Sequence, residues 1–147
     1  TGVRTFEAAS YLKKSGADTI EVKKLFNSDI KDFITKAEII QNAKVINNNI
    51  CLAYTKTETD NINIVIAQAA DELLNIKEVE ASFVLARKDD RVFISARSLG
   101  NINVHVLMEN LGGGGHRDMA GAQLDTSLEK AYEMVKDTIQ TCIKEEE

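Results

Sequence analysis

The sequence predicts an α/β domain: a small mixed β-sheet of about five strands flanked by helices and preceded by a helical connector. Three observations carry this expectation. Apolar residues recur at helical spacing in some segments and alternate in others, and the two patterns succeed one another along the chain. The 147 residues are 44% hydrophobic and 28% charged. A chain of that size buries roughly two-thirds of its extended surface, enough for a core without disulfides or metals. Only 8 Gly and 0 Pro exclude collagen-like and low-complexity architectures, and the apolar content excludes intrinsic disorder.

Residues 6–12 open a short amphipathic helix that Gly16 ends. Asp18 and Glu21 give a capping-box-like start for residues 22–26. Ser28 is the expected cap of a longer helix with Ile30, Phe33, Ile34, Ala37 and Ile40 on one face. Asn47, Asn48 and Asn49 signal a hairpin. Residues 50–55 then alternate as a strand, Ile50, Leu52 and Tyr54 against Cys51 and Ala53. Asn61 is placed to cap a helix whose apolar side holds Val65, Ile66, Ala69, Ala70, Leu73 and Leu74. Strands over residues 81–87 and 91–97 follow, joined by a tight turn at Lys88, Asp89 and Asp90. Asn103 caps a short helix over 104–110, a glycine run comes next, and residues 121–124 read as the last strand. Thr126 and Glu129 form a capping box for the final helix. Leu128, Ala131, Tyr132, Val135, Ile139, Cys142 and Ile143 lie along one face of it. The tail Lys144-Glu145-Glu146-Glu147 reads as a solvated, fraying end. Residues 1–44 are thus a helical connector or layer, and residues 45–147 the sheet domain.

The net charge of −5 and pI near 5.1 leave no broad basic face for tracking a duplex. A small local positive patch, suited to a short phosphate-bearing ligand, remains compatible with that balance. Cys51 and Cys142 are too few and too far apart for a disulfide framework or zinc site, and read as reduced, buried thiols in a cytosolic setting. The most apolar stretch, around residues 64–70 and interrupted by Gln68, is far short of the ~20 residues a membrane span needs. Thr1 rather than Met opens the chain and no signal peptide is visible, which reads as a piece of a longer protein.

Two motifs carry chemistry. Four consecutive glycines, 112–115, are costly to order, and one or two would suffice for a helix C-cap. Followed by His116 and Arg117, they read as a ligand loop. They match neither a P-loop, which needs Lys and Ser or Thr after the last Gly, nor the dinucleotide fingerprint, and they follow a helix instead of a strand. In the strand before them, alternation sets Phe93, Ser95 and Arg97 on one face against Val92, Ile94 and Ala96. An arginine with a hydroxyl two residues away is a reasonable oxyanion pair. Taken alone it reads more readily as an exposed surface arginine at a strand end, and its place just upstream of the glycine run shifts that balance. His105 and His116 have no metal-ligand spacing, and no Ser-His-Asp signature or activated cysteine is visible. The chain therefore presents anion-binding residues without catalytic or metal-binding ones.

Ser95-Ala96-Arg97-Ser98, Asn103-Val104, Leu111-Gly112-Gly113-Gly114-Gly115-His116 and Ala120-Gly121-Ala122 resemble the DHH-associated C-terminal domain of the DHH phosphoesterases, over roughly residues 44–144. The opening Thr1 to Ala9, with Gly16-Ala17-Asp18, looks like the connector of one branch, the bacterial membrane-anchored cyclic-di-AMP phosphodiesterases. Met119 stands where the family often has a small residue. The resemblance implies an upstream DHH domain of the same polypeptide holding two divalent ions, usually manganese, that activate water for phosphodiester hydrolysis. The present chain would be inactive alone and would form the cytoplasmic, substrate-gripping part of a membrane-anchored parent, with a homodimer left open. Carried over by position, Gly113, Gly114, Gly115 and His116 would contact a phosphate or the adjoining nucleotide, and Arg97, helped by Ser95 or Ser98, another phosphate. None is assigned to catalysis or to metal. The expected ligand is a cyclic dinucleotide, hydrolysed to linear pApA, or a short nucleotide. The same domain in an oligoribonuclease and nucleotide-3′,5′-bisphosphate phosphatase is the alternative. A nucleic-acid-binding module is a further one, but 3 Tyr, 5 Phe and 0 Trp with an acidic balance suit single-strand binding poorly. A purely structural or dimerising domain is the last.

Overall fold

Strand alternation sorts the side chains between two helix layers, and the sheet lies between them. The computed structural model describes residues 2–145. Three helices come first: α1 (Val3–Lys14), α2 (Thr19–Lys24) and α3 (Ile30–Gln41). The sheet region follows as β1 (Lys44–Ile46), β2 (Ile50–Thr55), α4 (Ile62–Leu73), β3 (Ala81–Lys88), β4 (Arg91–Ser98), α5 (Val104–Glu109), β5 (Gly114–Gly115), β6 (Met119–Leu124) and α6 (Leu128–Glu145). The strands form one six-stranded sheet in the order β1-β2-β3-β4-β6-β5. β2 and β3 are parallel across the α4 crossover, and the other pairs are antiparallel. This is the mixed α/β sheet the sequence predicts, with one strand more. The sequence leaves two strands unassigned: β1, signalled only by the hairpin asparagines, and β5, which glycine composition conceals.

The turns behave as their residues dictate. Asn47 (φ 50°), Asn48 (φ 68°) and Asp89 (φ 55°) take the left-handed backbone that tight hairpins need. One sheet face carries Leu52, Phe83, Leu85, Ile94 and Ala96 into a core closed by Val104, Leu107 and Met108 of α5 and Val135 and Ile139 of α6. The other carries Cys51, Ala53, Val84 and Ala86 against Val65, Ile66, Ala69 and Leu73 of α4, with Ile39 of α3 beyond. α4 packs on β3 and β4, and α3 packs on α4 and β2.

Several sequence-level expectations need correction. The cap of α3 is Asp29, whose carboxylate accepts from Lys31 N at 2.8 Å, not Ser28. The cap of α6 is Ser127, whose hydroxyl accepts from Lys130 N at 3.2 Å, not Thr126. Asp18 caps α2 as expected, but the helix begins at Thr19, and Glu21 pairs with Lys24 at 2.6 Å. Asn61 and Asn103 occupy cap positions without making a side-chain cap bond; Asn61 donates to Asp32 instead, at 2.9 Å. On α3 the buried residues are Thr35 and Ile39, while Ile30, Phe33 and Ile34 of the predicted face are 70%, 57% and 50% exposed. Helix α3 meets α4 along a different stripe and leaves its remaining apolar residues exposed, as are the apolar residues of α1 and α2, neither of which buries a residue. Cys51 is buried as expected, but Cys142 is half-buried, its Sγ accepting from Asn110 Nδ2 at 3.5 Å. The side chains from Ile143 onward are outside what is described; of the predicted tail, Lys144 and Glu145 belong to α6, and Glu146 and Glu147 lie outside the described residues.

Candidate functional site

Residues directly opposite in a sheet share a face, so the register decides which motif residues can act together. Arg97 pairs with Met119, and Met119 exchanges backbone hydrogen bonds with His116 (N to O 2.7 and 3.3 Å) across the Arg117-Asp118 turn. Arg97, Met119 and His116 thus form one cross-strand row on the α4 side of the sheet. Ser95 pairs with Gly121, and Gly121 with Gly114, giving a second row beside it. Phe93 and Gln123 form a third. Neighbouring rows are about 7 Å apart along the strands, and Arg97 and His116 are two strand spacings apart, roughly 10 Å. The α4 side of β6 and β5 has no helix packed on it among the described residues, because α4 stops at β4.

Arg97 is held from the side. Its Nε donates to Asp71 Oδ1 of α4 at 2.8 Å, and its Nη1 donates to Ser95 Oγ at 3.1 Å and to the Ala96 carbonyl at 3.0 Å. The side chain is only 12% exposed, whereas that of Asp71 is 59% exposed. Nη2 makes no hydrogen bond to another described residue, so one edge of a fixed guanidinium stays available to an oxyanion. Ser95 is buried and oriented by this contact. Ser98 stands apart: it pairs with Ala81 on the opposite face, and its hydroxyl accepts from Gly100 N at 2.9 Å. It secures the turn after β4 and is not beside Arg97.

The four glycines divide by role. Gly112 (φ 75°) closes α5, its N–H reaching Glu109 O at 2.9 Å while Gly113 N reaches Met108 O at 2.8 Å, the paired bonds of a Schellman ending. A Cβ on Gly113 would lie 2.2 Å from the Gly121 carbonyl oxygen, and one on Gly115 (φ 147°) 2.5 Å from Ala120 Cα. These two let β5 lie against β6. Gly112 and Gly114 both have open space where a Cβ would be, but of the two only Gly114 has a φ that is not positive. Backbone conformation or packing therefore accounts for the missing side chain at three of the glycines, and Gly114 is free of both constraints. The backbone of Gly112 and Gly113 lines a groove beside the Ser95 row.

His116 is exposed at the base of the hairpin turn. The turn is anchored, since Arg117 Nε donates to Gly100 O at 3.1 Å, Val104 N to Arg117 O at 3.0 Å and Ser98 N to Asp118 O at 2.9 Å. The next loop is tied in turn by Asn101 Nδ2 to Glu80 Oε1 at 3.2 Å. Beside the Ser95 row lies a groove of about 510 Å³, lined among others by Asn63, Ile66, Phe93, Ser95, Gly113, Gly121 and Gln123.

A held guanidinium with one open edge beside a buried hydroxyl suits gripping an anion. Burial pushes the Cys51 thiol up, which leaves it a core residue and not a nucleophile. The described residues contain no group of three His, Cys, Asp or Glu side chains placed to hold a metal ion. Asp71, Asn63 and Gln123 are absent from the sequence-level site. Strand parity was a usable signal for Gln123, two residues from Gly121; nothing local marks Asp71, which reaches Arg97 from 26 residues away.

The DHHA1 domain family matches residues 47–145. The cyclic-di-AMP phosphodiesterase GdpP of Bacillus subtilis (strain 168) is 46% identical over 143 residues, covering 95% of this chain and 22% of that protein. The cyclic-di-AMP phosphodiesterase PdeA of Listeria monocytogenes is 42% identical over 133 residues, covering 89% of this chain and 20% of that protein. The chain thus spans about one-fifth of the length of these curated relatives. An exopolyphosphatase-related protein of Bacteroides fragilis superposes with a TM-score of 0.81 over 96% of this chain and 44% of its own, at 20% identity, which shows a shared fold.

Proposed function

This chain belongs to the DHHA1 domain family, and from that premise we propose that it is the substrate-gripping part of a cyclic-di-AMP phosphodiesterase that yields linear pApA. The observation that carries the proposal is the row that sets Arg97, at the margin of α4, and His116, beyond it, on one sheet face, with Ser95 and Gly114 beside them. The relatives named above act, by their names, on cyclic-di-AMP. In the reaction, water adds across one phosphodiester bond, leaving a 5′-phosphate on one adenosine and a 3′-hydroxyl on the other. Residues of this chain bind and orient: the open edge of Arg97 takes one phosphate oxygen, and His116 and the backbone at Gly114 take a neighbouring part of the same ligand. Metal-dependent activation of water belongs to a DHH domain that residues 1–44 connect to this one. Among the described residues no helix is long and apolar enough to cross a membrane, so the parent's anchor is assigned to another segment.

Titration of this chain with cyclic-di-AMP, linear pApA and a short RNA tests the proposal. Both dinucleotides bind, Arg97→Ala weakens both, the RNA binds more weakly, and manganese brings no hydrolysis. RNA binding as tight as dinucleotide binding moves the assignment to a nucleic-acid module. Binding untouched by Arg97→Ala returns the glycine run to a packing role.

A further inference from the structure

We infer that the groove beside the Ser95–Gly121–Gly114 row is a base-reading subsite, with Gln123 and Asn63 as the residues that select adenine. The inference rests on the phosphate-gripping row proposed above and extends it. At about 510 Å³ the groove falls in the size range of small-ligand sites. Its floor is flat where Gly121 and Gly113 contribute no side chain. Ile66 of α4 and Phe93 of β4 give it an apolar wall, and Ser95 stands at the end nearest Arg97. Such a slot suits a planar heterocycle, since bases taken out of a stack are held between apolar or aromatic side chains and read along their edges.

The order along the strands matches the order of parts in a nucleotide. Arg97, Ser95 and Phe93 face the same side of β4, two residues apart, so the charged row, the small-residue row and the groove succeed one another in steps of about 7 Å. A phosphate on Arg97 leaves the sugar over Gly121 and Gly114, where no side chain intervenes, and the base beyond, against the apolar wall that Phe93 and Ile66 form together. Gln123 and Asn63 are the carboxamides on this lining. Both residues are exposed, and neither side chain makes a hydrogen bond to another described residue. A carboxamide offers one acceptor and one donor side by side, matching the N6 donor and N7 acceptor of adenine. Guanine presents two acceptors, O6 and N7, at the same edge and cannot satisfy the amide oxygen. Gln123, paired with Phe93 across the strands, is placed to make the bidentate contact, and Asn63 supports it from α4.

The test measures the affinity of this chain for 5′-pApA and 5′-pGpG in the wild type and in Gln123→Ala, Gln123→Glu, Asn63→Ala and Arg97→Ala. The wild type prefers pApA. Gln123→Ala lowers pApA affinity roughly 5- to 150-fold, the range of one bidentate base contact, with pGpG within about twofold. Gln123→Glu keeps the side-chain shape, loses the donor and shows the same loss, and Asn63→Ala shows a smaller loss in the same direction. Arg97→Ala weakens both nucleotides alike. Equal weakening of both nucleotides by the Gln123 and Asn63 variants, or no change in either, overturns the base subsite while leaving the phosphate row standing. A wild type that binds neither nucleotide, or an Arg97→Ala variant that binds both normally, overturns the phosphate row and the base subsite together.

Discussion

The two faces of the sheet are built from the same strands and meet different fates. Under α5 and α6 the strands present Leu52, Phe83, Leu85, Val92, Ile94 and Ala96, all buried. On the α4 side the residues between them begin as core, with Val84 and Ala86 against α4, and end as Ser95, Arg97, Gly121 and Gly114 where helix cover stops. One strand, β4, spans both conditions: Ile94 points into the closed core while Ser95 and Arg97 point into the half-open face. The proposed binding site thus lies where a two-layered sheet outruns its second layer. Small and charged residues there replace apolar ones without breaking the alternation.

The comparison is broken most directly at Phe83, fully buried on the closed face. Phe83→Ala should lower unfolding stability by about 3–5 kcal/mol. On the open face, Met119 is 51% exposed, and Met119→Ala should stay within about 0.5 kcal/mol. Chemical denaturation of the two variants checks this, and similar losses from both mean the open face is covered after all.

Arg97→Ala should invert that pattern. A charge-assisted hydrogen bond is worth about 1.5–3 kcal/mol, so dinucleotide affinity should fall roughly 10- to 150-fold. Stability should change by only about 1 kcal/mol or less, because the Asp71 partner is largely solvated and screened. A stability loss as large as that of Phe83→Ala would make Arg97 a strut and not a ligand contact.

Much of this contrast was legible in the sequence. Alternation in residues 91–97 separated Arg97 and Ser95 from Ile94 and Ala96, and the glycine run marked the loop. What was hidden is what depends on register and strand order. The insertion of β6 between β4 and β5 carries His116 back to the Arg97 row, and no local pattern encodes it. Ser98 illustrates the limit: adjacency to Arg97 suggested cooperation, yet one step along a strand reverses the face. Capping failed for a different reason, since Ser28 and Asp29, or Thr126 and Ser127, are neighbouring cap-type residues that only the helix start separates. The exposed stripe Ile30, Phe33 and Ile34 has the period of a core helix, but period does not say which neighbour receives it.

The glycines sharpen the comparison within five residues. Gly113→Ala forces a Cβ to 2.2 Å from the Gly121 carbonyl, and overpacking of that kind costs about 1–3 kcal/mol or more. β5 should loosen from β6, read as lower thermal stability. Gly114→Val meets nothing within 4 Å and sits in extended backbone that a β-branched residue accepts. Its stability should be nearly unchanged while dinucleotide binding is lost. If Gly114→Val binds normally, the whole run serves packing.

The smallest effect, and the most discriminating, belongs to His116. One neutral hydrogen bond is worth about 0.5–1.5 kcal/mol, so His116→Ala should weaken dinucleotide binding about 2- to 12-fold. Arg97 and His116 share a row but are roughly 10 Å apart with Met119 between them, a separation at which direct coupling is small. In unfolding experiments the two alanine substitutions should therefore add to within about 0.5 kcal/mol. In ligand affinity they should not, because both hold one molecule and losing either contact lets it shift away from the other; a coupling of about 0.5 kcal/mol or more is expected. Two double-mutant cycles, one on stability and one on pApA affinity, read this difference. Additivity in both would place the two residues on separate ligands. Coupling in both would mean that they communicate through the protein itself, and the open face would then be a packed unit like the closed one.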